Sequence, residues 1–141
     1  MCGNGLAGDD LDWVFAAVKT AHDPIYLLTA QTYFFRPTEQ AFFTLALLVD
    51  GTRYPVYLIG ALLLHLAAVW LVAELAREFT GDAIAAVAGT SWWALHHAHA
   101  EVILRPYGVA DPLSLVFGLA SFRAYRRGRP VVAACALAVA L

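Results

Sequence analysis

VYLIGALLLHLAAVWLVAEL, residues 56 to 75, carries no charge before Glu74 and one polar group, His65. At a rise of about 1.5 Å per residue, twenty helical residues span about 30 Å, the thickness of a bilayer's hydrocarbon core. The stretch therefore predicts a membrane-crossing helix. Composition points the same way. Of 141 residues, 61% are hydrophobic and 14% charged, whereas soluble domains hold about 45–50% apolar and about 25% charged residues. A formal net charge of −2, with no basic arm, sets nucleic acid aside as a partner. Cys2 and Cys135 have neither disulfide nor zinc-ligand spacing.

Towards the C-terminus, AREFTGD (76–82) separates this helix from AIAAVAGTSWWALHHAHA, which predicts a second span over about 83–99. Trp92 and Trp93 suit an interfacial belt at its end. After the breaks at RPYG and DP, LSLVFGLASFRAY predicts a third span over about 112–125. A fourth begins at Val131 and runs to 141, short of the roughly 20 residues that a spanning helix needs. The chain accordingly reads as a fragment of a longer membrane protein.

Towards the N-terminus, MCGNGLAGDD lacks the basic and apolar regions of a signal peptide. LDWVFAAVKTA places Leu11, Val14, Phe15 and Val18 on one helical face. TEQAFFTLALLVDG opens on Thr38 as an N-cap and offers only about ten apolar residues, half a span or an interfacial helix. The expected fold is all-α: an external loop over 1–55 with short amphipathic helices, then a polytopic transmembrane bundle fragment over 56–141.

Arg123, Arg126, Arg127 and Arg129 form the one concentrated basic cluster, which the positive-inside rule puts in the cytoplasm. Counting spans back, AREFTGD is also cytoplasmic. The histidine-rich end of the second span and everything before Val56 are external. Asp9 and Asp10 then lie on the same side as His96, His97, His99 and Glu101. This arrangement makes an integral, multi-pass protein, in the plasma or inner membrane if the source is prokaryotic.

On a helix, His97 and Glu101 are i,i+4 neighbours and His96 and His99 are i,i+3 neighbours. Such groups bind metal or move protons, but the pattern is not that of a zinc protease and no metal site is assigned. The plain alternative is a polar helix end reaching into the interface. Asp9 and Asp10 could act as general base on a hydroxyl nucleophile or help to hold a divalent cation, the one cofactor the sequence admits. Arg36 and Arg105, each followed by proline, sit at segment boundaries where a guanidinium can clamp a phosphate or anchor a helix at the headgroups. His65, near mid-span, is expected to turn into the bundle.

GDDLDWV, FFRPTEQ, LLLHLAAVWLVAEL, ALHHAHAEVI and LASFRAYRRGR, in that order, resemble the membrane part of GT-C-fold glycosyltransferases. The likeness is to the protein O-mannosyltransferases and their transmembrane-TPR relatives, and it covers roughly residues 8 to 130. It implies Asp9 or Asp10 as the catalytic carboxylate and Arg36 as the arginine of a YRP-like element. It implies His65 as the histidine of an NxxxH element, and His96, His99 and Glu101 as the HPxHxE positions. His97 stands where that motif has proline, Ala61 where NxxxH has asparagine, and Val109 where an arginine commonly follows. The implied reaction is inverting transfer of a sugar from a polyprenyl or dolichyl phosphate to a protein or glycan acceptor on the non-cytoplasmic face. The other reading is a segment of a transporter or assembly subunit with a histidine-lined ion or proton path.

Overall fold

The computed structural model describes residue 6, residues 8–29 and residues 36–140, except the side chains at 9, 97, 98, 101 and 102. The fold is all-helical, 87% helix with no strand among the described residues. In chain order the helices are α1 (Asp9–His22), α2 (Pro37–Asp50), α3 (Tyr54–Thr80), α4 (Ala83–Ala94), α5 (His97–Leu104), α6 (Ala110–Arg126) and α7 (Pro130–Ala140). Single 3-10 turns, Pro24–Leu28 and Pro106–Val109, follow α1 and α5.

α3 is the organising element. Its 27 residues extend about 40 Å, and it is the one described helix long and apolar enough to cross a membrane. Only 28% of its most apolar window is buried. Ile59, Leu63, Leu66 and Trp70 face outward, which distinguishes α3 from the core helix of a soluble domain. It closes at Gly81, whose left-handed φ of 67° suits glycine. Asp82 then caps α4 by accepting from Ile84 N–H at 2.8 Å and Ala85 N–H at 3.4 Å.

α4 returns along α3 but reaches only its middle, where Trp93 meets His65. The expected span over 83–99 is thus corrected: the helix ends at Ala94, and α5 completes the return separately. At its end Tyr54 donates its hydroxyl to the Leu104 carbonyl at 2.6 Å, bringing the end of α5 to the beginning of α3. α6 then runs parallel to α3. Its end is tied to the end of α3 by Arg123 with Glu74 and Glu78, and by Arg126 and Arg127 with Glu78. Two rings support the same guanidinium groups, Trp70 beside Arg123 and Phe79 beside Arg126. Three of the four arginines in the basic cluster thus join the end of α6 to the end of α3 by ion pairs. α7 packs back along α6, with Ser121 donating to the Ala133 carbonyl at 2.7 Å.

α1 and α2 cap the opposite end, around the start of α3. Phe43 is fully buried, with its ring centroid 6.1 Å from Trp13 and 5.4 Å from Tyr57. Thr20 and Gln40 are buried with them, and Gln40 donates to Thr20 and to the Tyr26 carbonyl. Gly60 permits the approach of α2 to α3: a Cβ there would come within 2.7 Å of the Phe42 ring.

Three local expectations are corrected. The inward face of α1 is Asp10, Trp13, Val14, Ala17 and Thr20, whereas Leu11, Phe15 and Val18 point out. The apolar residues are thus split between a packed stripe and an outer one. Thr38 is not an N-cap, because Pro37, pre-set for the first helical turn, starts α2 two residues earlier than that, with Arg36 at the cap. The DP pair does not end a helix either. Pro112 sits in the first turn of α6, where its missing N–H would have had no intrahelical partner.

Phe43→Ala should lower unfolding stability by about 3–5 kcal/mol, the usual loss for a buried aromatic. Reversible chemical unfolding in detergent measures this, and a loss under about 1 kcal/mol would contradict the assigned core.

Candidate functional site

The break between α4 and α5 positions the histidines. Leu95 N–H donates to the Ser91 carbonyl, but His96 N–H turns back to Trp93 at 3.2 Å, tightening the helix end. His99 N–H then donates to the His96 carbonyl at 3.0 Å as α5 begins. The kink swings the His99 ring to 4.5 Å from Trp93 and 5.2 Å from His65, centroid to centroid. His65 stacks on Trp93 at 5.8 Å, and His96 lies 6.3 Å from His99.

His65 and His99 line a cavity of about 270 Å³ with Trp93, Ile103, Asp111 and Pro112. His65 lies near the middle of α3. The cluster therefore sits part-way along the bundle rather than at the outer end of a span, and Trp93 is a wall of the cavity rather than an interfacial marker. Trp92 is the one that points outward, 80% exposed. The side chains of His97 and Glu101 lie outside the described residues, as does that of Asp9.

Asp10 is buried and reaches the turn that follows α5. Tyr107 N–H donates to Asp10 Oδ1 at 2.7 Å, across 97 positions of sequence. The neighbouring Arg105 donates to the Tyr107 hydroxyl at 3.0 Å. The acidic start of α1 and the RPY turn (105–107) are thus one structure. Arg36 is elsewhere, paired with Glu39 at 3.3 Å.

That pair borders a second cavity of about 270 Å³, lined by Arg36, Thr38, Glu39, Asp111 and Ser114 together with the end of α7. Glu39 is 1% exposed. Burial raises its pKa to about 7, against the opposing pull of Arg36 and with a further push from Asp111. Asp111 lines both cavities.

Glu39 and Asp111 were not singled out in the sequence. Glu39 lay within FFRPTEQ, where an acidic residue between Thr38 and Gln40 in a first helical turn reads as ordinary charge placement at a helix start. Asp111 read as punctuation before Pro112, and nothing local marked it. Among the described residues no three of His, Cys, Asp and Glu come together to hold a metal.

Comparison with known proteins finds no matching family model, no matching curated protein and no matching solved structure.

The raised pKa of Glu39 fixes the sign of a pH effect. Between the unfolded value of 4.5 and the folded value of about 7, the native state holds the extra proton. Its contribution to stability therefore falls as pH rises through that window and is level above it. Glu39→Gln should abolish this fall, leaving a variant whose stability is level across the pH window in which the parent's declines. Parallel stability–pH curves for the two proteins would contradict the assignment.

Proposed function

We propose that this chain forms the donor-binding part of an integral-membrane glycosyltransferase of the GT-C kind, acting on a sugar carried by a polyprenyl or dolichyl phosphate. In this reading α3, the α4–α5 pair, α6 and α7 are its membrane elements and α1 and α2 lie at the non-cytoplasmic surface. The observation that carries the reading is the Asp10–Tyr107 hydrogen bond, which brings the acidic loop to the turn directly after the histidine-bearing helix.

Asp10 is already engaged, so it serves as a positioning residue. The general base on the acceptor hydroxyl is assigned to Asp9. His65, His96, His99 and Glu101 hold the sugar and its phosphate, and Arg105, next to the Asp10 anchor, supplies positive charge for that phosphate. Arg36, opposite on the surface of α2, is assigned to the same polar end.

A second reading has one specific observation in its favour. His65, His99 and Asp111 line a cavity between α3, α5 and α6 part-way along the bundle, as an ion or proton path would need. Sugar transfer separates the two.

With the chain reconstituted in lipid and given polyprenyl-phosphate hexose and an acceptor, Asp9→Asn should reduce transfer at least a hundredfold with unchanged thermal stability. Asp10→Asn should lose both transfer and stability. Undiminished transfer in Asp9→Asn would remove the catalytic assignment. Absence of transfer by the parent, with proton flux that His99→Gln abolishes, would favour the path.

A further inference from the structure

The cavity beside α2 has an unbalanced set of hydrogen-bonding groups. Glu39 Oε2 accepts from Arg36, but Glu39 Oε1 is buried with no partner. Thr38 gives its hydroxyl hydrogen to the Val139 carbonyl at 2.7 Å, and Ser114 gives its own to the Ala140 carbonyl at 2.8 Å. A hydroxyl has one hydrogen to give, so both oxygens have only lone pairs left to offer. With the Asp111 carboxylate, the site presents an excess of oxygen acceptors to about 270 Å³ of space.

Charge decides what fits there. Glu39 and Asp111, when ionised, set two negative charges against the one positive charge of Arg36; Asp111 lies at the exposed mouth, but Glu39 is buried, and an uncompensated charge there is costly. A singly charged cation restores neutrality. A divalent ion would overshoot it next to a guanidinium. The lining has no histidine or cysteine, so softer metals find no suitable ligands, whereas carboxylate and hydroxyl oxygens suit a hard ion. At about 30 Å³ of liquid volume per water, the cavity has room for an ion with several waters.

We infer that this cavity binds a partly hydrated monovalent hard cation, with Glu39 and Asp111 as its charged ligands and the Thr38 and Ser114 hydroxyl oxygens completing the set. The inference does not rest on the enzymatic reading. Because Asp111 also lines the histidine cavity, an ion held here places a positive charge at the border of both.

The test is thermal unfolding of the full chain in lipid nanodiscs near pH 8, as NaCl replaces N-methylglucamine chloride at constant ionic strength. Tm should rise saturably with sodium. Asp111→Asn, at an exposed position, should weaken apparent sodium affinity at least tenfold, Ser114→Ala severalfold, and Glu39→Gln should remove the response. Equal Tm in the two salts would overturn the site, as would a parent-like sodium response in folded Asp111→Asn. A larger rise with MgCl₂ than with NaCl at equal ionic strength would overturn its monovalent character.

Discussion

The packing of His65 on α3 against Trp93 and His99 depends on the helix after Asp82 stopping at Ala94. A continuous helix would carry residue 99 about 9 Å beyond residue 93 and about 240° around the axis, away from His65. The interruption instead folds His99 back onto Trp93, 4.5 Å between centroids, and lets α5 finish the return to Tyr54 at its own angle. The histidine cavity, the approach of Asp10 to Tyr107 and the start of α6 beside both cavities all follow from that turn.

The two ends of the bundle are held differently. At the end with the α3–α4 turn, Glu74 and Glu78 meet Arg123, Arg126 and Arg127. Arg123 is nearly enclosed, so its pairing resists screening better than an exposed pair would. At the other end the packed rings of Trp13, Phe43 and Tyr57 join α1 and α2 to α3. Apolar burial fixes the frame there, and the polar groups, Asp10, Glu39 and Asp111, sit along its edge. Leu63, Leu66, Trp70, Ile84 and Val131 face outward and leave the exterior strongly apolar.

Much of this was legible in the sequence. A charge-free run from Val56 with its single His65 specifies one long helix whatever surrounds it, but the loop expected over 76–82 is corrected: α3 continues through Thr80 and the turn is only Gly81 and Asp82. α6 and its basic end were equally plain as a helix. The inward face of α1 was not, because Leu11 and Phe15 are as apolar as Trp13 and Val14, and only packing against α2 decides between the faces. Nor was the break at Leu95 and His96, since neither residue disfavours helix strongly; it shows only in the tertiary contacts of His99 with Trp93 and His65. Of the candidate site, His65 turning inward was readable from the cost of a polar group in an apolar helix. The pairing of Asp10 with a backbone N–H 97 positions away and the convergence of Glu39 with Asp111 are tertiary facts with no local signature.

The interruption is tested most directly by disulfide trapping between positions 65 and 99. In a chain otherwise free of cysteine, His65→Cys with His99→Cys should cross-link readily under mild oxidation in lipid, and His65→Cys with the exposed Leu95→Cys should not. Failure of the 65–99 pair to cross-link in the folded protein would contradict the broken helix, and with it the histidine cavity.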